Sequence, residues 1–310
     1  MPYLALIALL LLSAPSRAAE PLTVLLDWFV NPDHAPIIVA DELGLFEERG
    51  LEVEIVAPAD PNDPPKLVAA KDAPVAISYQ PQLHIQVDQG LPLVRFGTLV
   101  ATPLNALVTL ADGGIESIAD LAGKKVGFSV GGFEGALLGA MLREHGLGLD
   151  DVELINVNFN LSAALLSEQV DAVIGAFRNF ELNQLALEGA EGRAFYPEEE
   201  GVPAYDELIF ITHRDFLQDA RLGRFMAAIE EATLYLLNHP DEAFALFVKG
   251  RPELDDELNR RAWADTLPRF ALRPSALDDA RYARFARFLE EQELIGAPPP
   301  VTSYAVELAH

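Results

Sequence analysis

Cysteine is absent from the 310 residues, which excludes disulfides, thiol nucleophiles and thiolate metal sites. The absence suits an oxidising compartment, and it removes the residue through which an exported protein can be lipid-anchored. Positive charge is scarce too: 22 Lys and Arg stand against 48 Asp and Glu, a formal net charge of −26. A field of that sign repels phosphate backbones, so no nucleic-acid partner is expected. It leaves the charge of any one cleft open, and solubility or adaptation to salt accounts for it equally well. Several signatures of catalysis are missing as well: a GxSxG elbow, a Walker A loop, HExxH and GxGxxG. The six histidines (His34, His84, His145, His213, His239, His310) show no metal-ligand spacing. The chain is therefore expected to be no enzyme and to carry neither metal nor cofactor.

What is present begins with an apolar run. Leu4 to Leu12 carries no charge, and small residues follow from Ser13 to Ala19. The run falls short of the ~20 residues a membrane-spanning helix needs. With Ser16-Arg17-Ala18 offering small side chains at both positions a signal peptidase reads, residues 1–18 are expected to be a cleaved signal peptide. No Lys or Arg precedes the run, so an uncleaved anchor is the other reading. A soluble, monomeric protein of the periplasm is the expectation.

Beyond that segment, apolar runs alternate with amphipathic ones. Leu22–Trp28 and Val75–Tyr79 read as buried strands, and Leu51, Val53 and Ile55 alternate with Glu52 and Glu54 as a half-buried strand. Helical stretches lie between them, and the pattern restarts at Leu107 and runs to Glu188. Such alternation predicts βαβ units and mainly parallel sheets. From Asp215 the pattern is helical only, with Leu222, Phe225, Met226, Ile229, Thr233, Leu236 and Leu237 at helical spacing and Asn238-His239-Pro240 as a stop. The predicted fold is α/β with two lobes, the plan of type II-like periplasmic binding proteins. Residues 21–103 and 212–310 form one lobe and residues 104–211 the other. Hinge crossings are expected near Thr102–Leu107 and Phe210–Arg214.

Candidate ligand-binding residues follow strand ends, where open sheets bind ligands. Asp27-Trp28-Phe29-Val30-Asn31-Pro32-Asp33-His34 follows the first strand. Trp28 offers a flat face for a heteroaromatic ring, with Asp27, Asn31 and His34 to bond its edge; alternatively, Trp28 is core and Asn31 or Asp33 caps the next helix. Tyr79, Gln80 and Gln82 follow a second strand, and Tyr79 either stacks on a ligand or packs on the surface. Phe133 and Glu134 follow Gly131-Gly132, a helix opening whose amides could bind an oxyanion, although Glu134 favours a neutral or cationic ligand. Arg178, Asn179 and Glu181 follow the strand Val173–Phe177. Glu181 suits an aminopyrimidine, while a helix-surface pair of Arg178 with Glu181 is the plainer alternative.

The stretches LDWFVNPDHAPIIVADELGLFEERGLEVEI, PADPNDPPKLVAA, ISYQPQLHIQV, IESIADLAGKKVGFSVGGFEGALLGAML and GAFRNFELNQL closely resemble the NMT1/THI5-like (SsuA/THI5) family of solute-binding proteins. The resemblance is strongest to the branch that binds thiamine pyrimidine precursors, of the hydroxymethylpyrimidine or formyl-aminopyrimidine type. It implies capture of a small heteroaromatic ligand in an interlobe cleft, and delivery to the permease and ATPase of an ABC importer. By motif position it assigns the ligand to Trp28, Asn31 and Tyr79, with Glu181 as a further candidate. Other solutes of the family, such as riboflavin or an alkanesulfonate, are alternatives. So is a thiamine-pyrimidine synthase using pyridoxal phosphate. For that enzyme, Ser78 stands where the resemblance implies a cofactor-bearing lysine, and Gln82 where it implies a sacrificial histidine.

Overall fold

The computed structural model describes residues 18–308. The expected signal peptide, apart from Ala18, lies outside the described residues, as does His310. Among the described residues, ten strands form two five-stranded sheets. The first contains β1 (Glu20–Leu25), β2 (Leu51–Val56), β3 (Val75–Ser78), β4 (Leu93–Val100) and β10 (Leu208–His213), in the order β2-β1-β3-β10-β4. The second contains β5 (Asn105–Leu110), β6 (Lys125–Phe128), β7 (Glu153–Asn156), β8 (Ala172–Phe177) and β9 (Gly192–Phe195), in the order β7-β6-β8-β5-β9. Each sheet with its flanking helices is one lobe.

Both sheets are mixed where mainly parallel ones were expected. β1 runs parallel to β2 and β3, but β10 lies antiparallel between β3 and β4. In the second sheet β6 is parallel to β7 and β8, while β5 is antiparallel to β8 and β9. The reason is topological. A strand that enters a lobe through a crossing, rather than through a βα turn, is free to run the other way. β3, β4 and β10 are buried along their whole length, because helices cover both faces of the first sheet; that is why they read as unbroken apolar runs rather than alternating ones.

The same topology moves one hinge. The chain leaves the first sheet after β4, within residues 101–104, close to the expected crossing. It returns between β9 and β10, within residues 196–207, so the expected crossing at Phe210–Arg214 is corrected: those residues belong to β10 and the turn after it. Buried Glu207 fastens the two crossings together, accepting bonds from the backbone N–H groups of Leu104 (2.6 Å) and Asn105 (2.9 Å). Burial pushes its carboxyl up to about 7.

After β10 the helix Ala220–Asn238 buries the predicted stripe Leu222, Phe225, Met226, Ile229, Thr233 and Leu236 against the first lobe, where it packs on the helix Ala35–Glu42. Each large apolar side chain so buried contributes ~1.5–3 kcal/mol. No described helix is long and apolar enough to cross a membrane.

Candidate functional site

On the first lobe the residues after β1 form a chain of hydrogen bonds. Asn31 caps the short turn Pro32–His34, its Oδ1 accepting from the Asp33 N–H at 2.8 Å. The Asn31 N–H in turn reaches His34 Nδ1 at 3.3 Å. Since Nδ1 accepts, Nε2 holds the proton and donates to Asp27 Oδ1 at 2.9 Å. The other oxygen of Asp27 accepts from the Tyr79 hydroxyl at 2.8 Å. Burial, and after it the Asp27 charge, hold the Tyr79 phenol well above its usual range, so it remains a donor.

The second lobe answers with rings and carboxyls. Phe133 stacks on Tyr79 at 4.7 Å and 24°, and Phe159, after β7, meets Trp28 edge-on at 4.6 Å. Trp28 is only partly buried, and it packs against the core of the second lobe. The Glu134 carboxylate accepts from the Ser129 and Val130 N–H groups at 2.8 and 3.1 Å, and Gly131 N–H is taken by Asn62 of the first lobe. These amides are thus occupied by the protein's own groups and not free for an external oxyanion. Glu181 accepts from the Phe177 N–H at 2.6 Å. Burial pushes Glu134 and Glu181 each up to about 8, and Asp33 up to about 6.

Between the lobes lies a small cavity of about 20 Å³. Its wall brings together Asp27, Trp28, Asn31, Tyr79, Glu134 and Glu181 from the candidate set, with Asp33, Leu161, Gly175, Phe177 and Phe180 in addition. Four of these wall residues are carboxylic acids and none is lysine or arginine.

Other candidates stand apart from the wall. His34 and Phe133 brace Asp27 and Tyr79 from behind. Gln80 accepts from the Asp206 N–H (2.8 Å), and Gln82 accepts from the Ser78 hydroxyl (2.9 Å). Arg178 is not in the cavity. It grips Glu198 at 2.6 and 2.9 Å, bonds the carbonyls of Leu104 and Asn105 and lies over the Tyr196 ring, so the expected ligand contact and the alternative pair with Glu181 are both replaced by a tie at the hinge. Its long side chain reaches a carboxylate twenty residues away that local spacing could not reveal. Asn179 bonds Asp33 and Thr266.

Of the wall residues that the motifs did not single out, Gly175 had a signal: a lone glycine inside an apolar strand marks a close approach. Its φ is +98°, and a Cβ there would lie 2.4 Å from Glu134 Oε1. Gly175→Ala is expected to cost ~1–3 kcal/mol from backbone strain alone and to displace Glu134. Chemical denaturation should show a lower midpoint, whereas an unchanged midpoint would mean that Glu134 is loosely seated.

A family model described as NMT1/THI5 like matches residues 31–243, more than half of the chain. The chain belongs to this family. A protein of Haemophilus influenzae named for thiamine biosynthesis is 54% identical over 307 residues, 99% of this chain and 98% of its own. A formylaminopyrimidine-binding protein of Halalkalibacterium halodurans is 34% identical over 82% of this chain and 78% of its own. Among solved structures, the alkanesulfonate-binding protein SsuA of Xanthomonas axonopodis superposes with a TM-score of 0.73 over 94% of this chain and 100% of that one. At 16% identity this likeness is one of fold, and the fold is that of two-lobe periplasmic binding proteins.

The expectation of no enzymatic activity is corrected by another relative. A protein of Legionella pneumophila named 4-amino-5-hydroxymethyl-2-methylpyrimidine phosphate synthase is 27% identical over 90% of both chains. Similarity to this chain therefore extends to a protein named as an enzyme as well as to one named as a binding protein. A lysine-linked pyridoxal phosphate, however, finds no lysine in the cavity wall, and Ser78 and Gln82 are engaged with each other.

Proposed function

We propose that the chain is a substrate-binding protein of the periplasm that captures a thiamine pyrimidine precursor, hydroxymethylpyrimidine or formyl-aminopyrimidine, in the interlobe cavity for an ABC importer. The observation that carries this reading is the composition of the wall: Trp28 and Tyr79 beside Glu134 and Glu181, with no cation among them. Aromatic faces suit a flat ring, and a pair of such groups contributes ~0.5–1.5 kcal/mol beyond area burial. A carboxyl in a dry wall forms a two-point pair with an aminopyrimidine. One oxygen accepts from the exocyclic amine, and one proton is shared with the neighbouring ring nitrogen. Burial keeps Glu134 and Glu181 protonated at neutral pH, so either can supply that proton. A sulfonate, by contrast, would meet four acids and no guanidinium. The Halalkalibacterium halodurans relative supports the pyrimidine class by its name.

Calorimetric titration of the purified protein checks the assignment. Both pyrimidines are expected to bind and an alkanesulfonate to give no heat. Silence with both pyrimidines would end the assignment.

A further inference from the structure

We infer that Asp33 is both a ligand contact and the latch that joins the two lobes, with Asn179 as its positioning partner. The inference rests on the proposed reading of the cavity. Asp33 follows β1 on the first lobe, is almost wholly buried, and forms part of the cavity wall. Its Oδ1 accepts from Asn179 Nδ2, which belongs to the second lobe, at 2.6 Å. The same Asn179 amide donates its other hydrogen to Thr266 Oγ1 at 2.6 Å, at the end of the helix Glu257–Thr266. One asparagine therefore ties three separate parts of the chain across the cleft. Beside it, Asn183 of the helix Glu181–Leu187 bonds Asp265 at 2.8 Å, so one helix of each lobe is seated on the other.

The second oxygen of Asp33 has no partner. Water serves it when the lobes are apart. Closure on an empty cavity strips that water and leaves a buried carboxylate oxygen without a donor, which disfavours the closed state. A ligand bearing an N–H donor repairs the defect, and its affinity for the closed form exceeds that for the open form by this interaction among others. A ring of the right shape without the donor would fill the cavity yet leave Asp33 unsatisfied. Asp33 thus links recognition of an amine to closure, because one oxygen holds the ligand and the other holds the opposite lobe.

The test uses the cysteine-free chain with Ala119→Cys and Leu234→Cys, two exposed sites on opposite lobes, as spin-label positions. Interlobe distance distributions and calorimetry are recorded with 4-amino-5-hydroxymethyl-2-methylpyrimidine and with its analogue carrying hydrogen in place of the amino group. The parent is expected to prefer the amino compound at least tenfold and to shorten its interlobe distance with it. Asp33→Asn places an amide where the acceptor stood and should erase that preference. Asn179→Ala leaves the wall intact but should weaken binding at least tenfold and reduce the short-distance population, with no large change in melting temperature. The double variant should be weaker than Asp33→Asn alone, because Asp33→Asn keeps the oxygen that accepts from Asn179 and the latch is lost only when Asn179 is removed. Asn183→Ala, which breaks the exposed contact with Asp265 and a bond to the Asn179 carbonyl (2.9 Å) but leaves the Asn179 side chain on Asp33, should bind within about twofold of the parent.

An Asn179→Ala distribution identical to the parent's would overturn the latch, whatever ligand binds. An undiminished amine preference in Asp33→Asn would overturn the ligand contact. Failure of the parent to bind either pyrimidine, with the Asn179→Ala distribution still shifted, would remove the pyrimidine reading and keep the latch.

Discussion

Trp28→Ala lowers the affinity for hydroxymethylpyrimidine at least tenfold, by titration calorimetry, with a small effect on thermal stability. The indole is partly exposed, lines the cavity and touches Phe159 of the opposite lobe, so it is not sealed within one half of the molecule. Truncation removes two favourable terms at once. The ring of a bound ligand loses an aromatic face, and the closed form loses an aromatic edge contact; each is worth ~0.5–1.5 kcal/mol, and ~1.4 kcal/mol is a factor of ten in affinity. Phe159→Ala separates them, since it deletes the contact between the lobes and leaves the indole in place. If the wall reading holds, Phe159→Ala loses less than Trp28→Ala. Equal losses would assign the indole to closure alone, and an unchanged affinity in Trp28→Ala would remove it from the ligand.

Several of these groups could be read from the sequence because strand ends dictate height. Asp27 and Trp28 after β1, Tyr79 after β3 and Glu181 after β8 all come at the carboxyl end of a strand, and those ends meet across the cavity. Local spacing does not fix which way a side chain turns from such a position. Arg178 and Asn179 come from the same turn as Glu181, yet the first reaches back to the hinge and the second reaches across to Asp33. Their partners, Glu198, Leu104 and Asp33, are set by the packing of distant segments. The return crossing was misplaced for a related reason. The strand β10 is apolar on both faces, and a buried strand shows the same pattern whichever way it runs. Asp33 has the look of an ordinary cap residue; only the fold reveals that Asn31 does the capping and that Asp33 turns to the cavity.

The unliganded protein should lose stability as pH rises from 6.5 to about 8 and level off above that. The sign follows from the buried acids. Glu134 and Glu181 are raised from 4.5 to about 8 in the folded state, by burial first, so the native protein holds two protons there that the unfolded chain has released. A group raised in this way gives its full stabilisation below its unfolded pKa and loses it as pH climbs to the folded one, at ~1.4 kcal/mol per pH unit. Glu207, raised to about 7, adds in the lower part of the window. His84 acts in the opposite sense, because burial lowers it to about 3, but its contribution is complete above its unfolded value of 6.5 and does not blur the interval chosen. Two carboxyls over one and a half units give a loss on the order of 4 kcal/mol, and a fall in melting temperature on the order of 10 °C for a chain of this size. Glu134→Gln and Glu181→Gln each remove one titrating proton while keeping an acceptor for the N–H bonds of Ser129, Val130 or Phe177. Each should therefore flatten the slope by about half. A melting temperature that stays level in the parent across this window would mean that both carboxyls are open to water, and the dry wall on which two-point recognition of an aminopyrimidine depends would not exist.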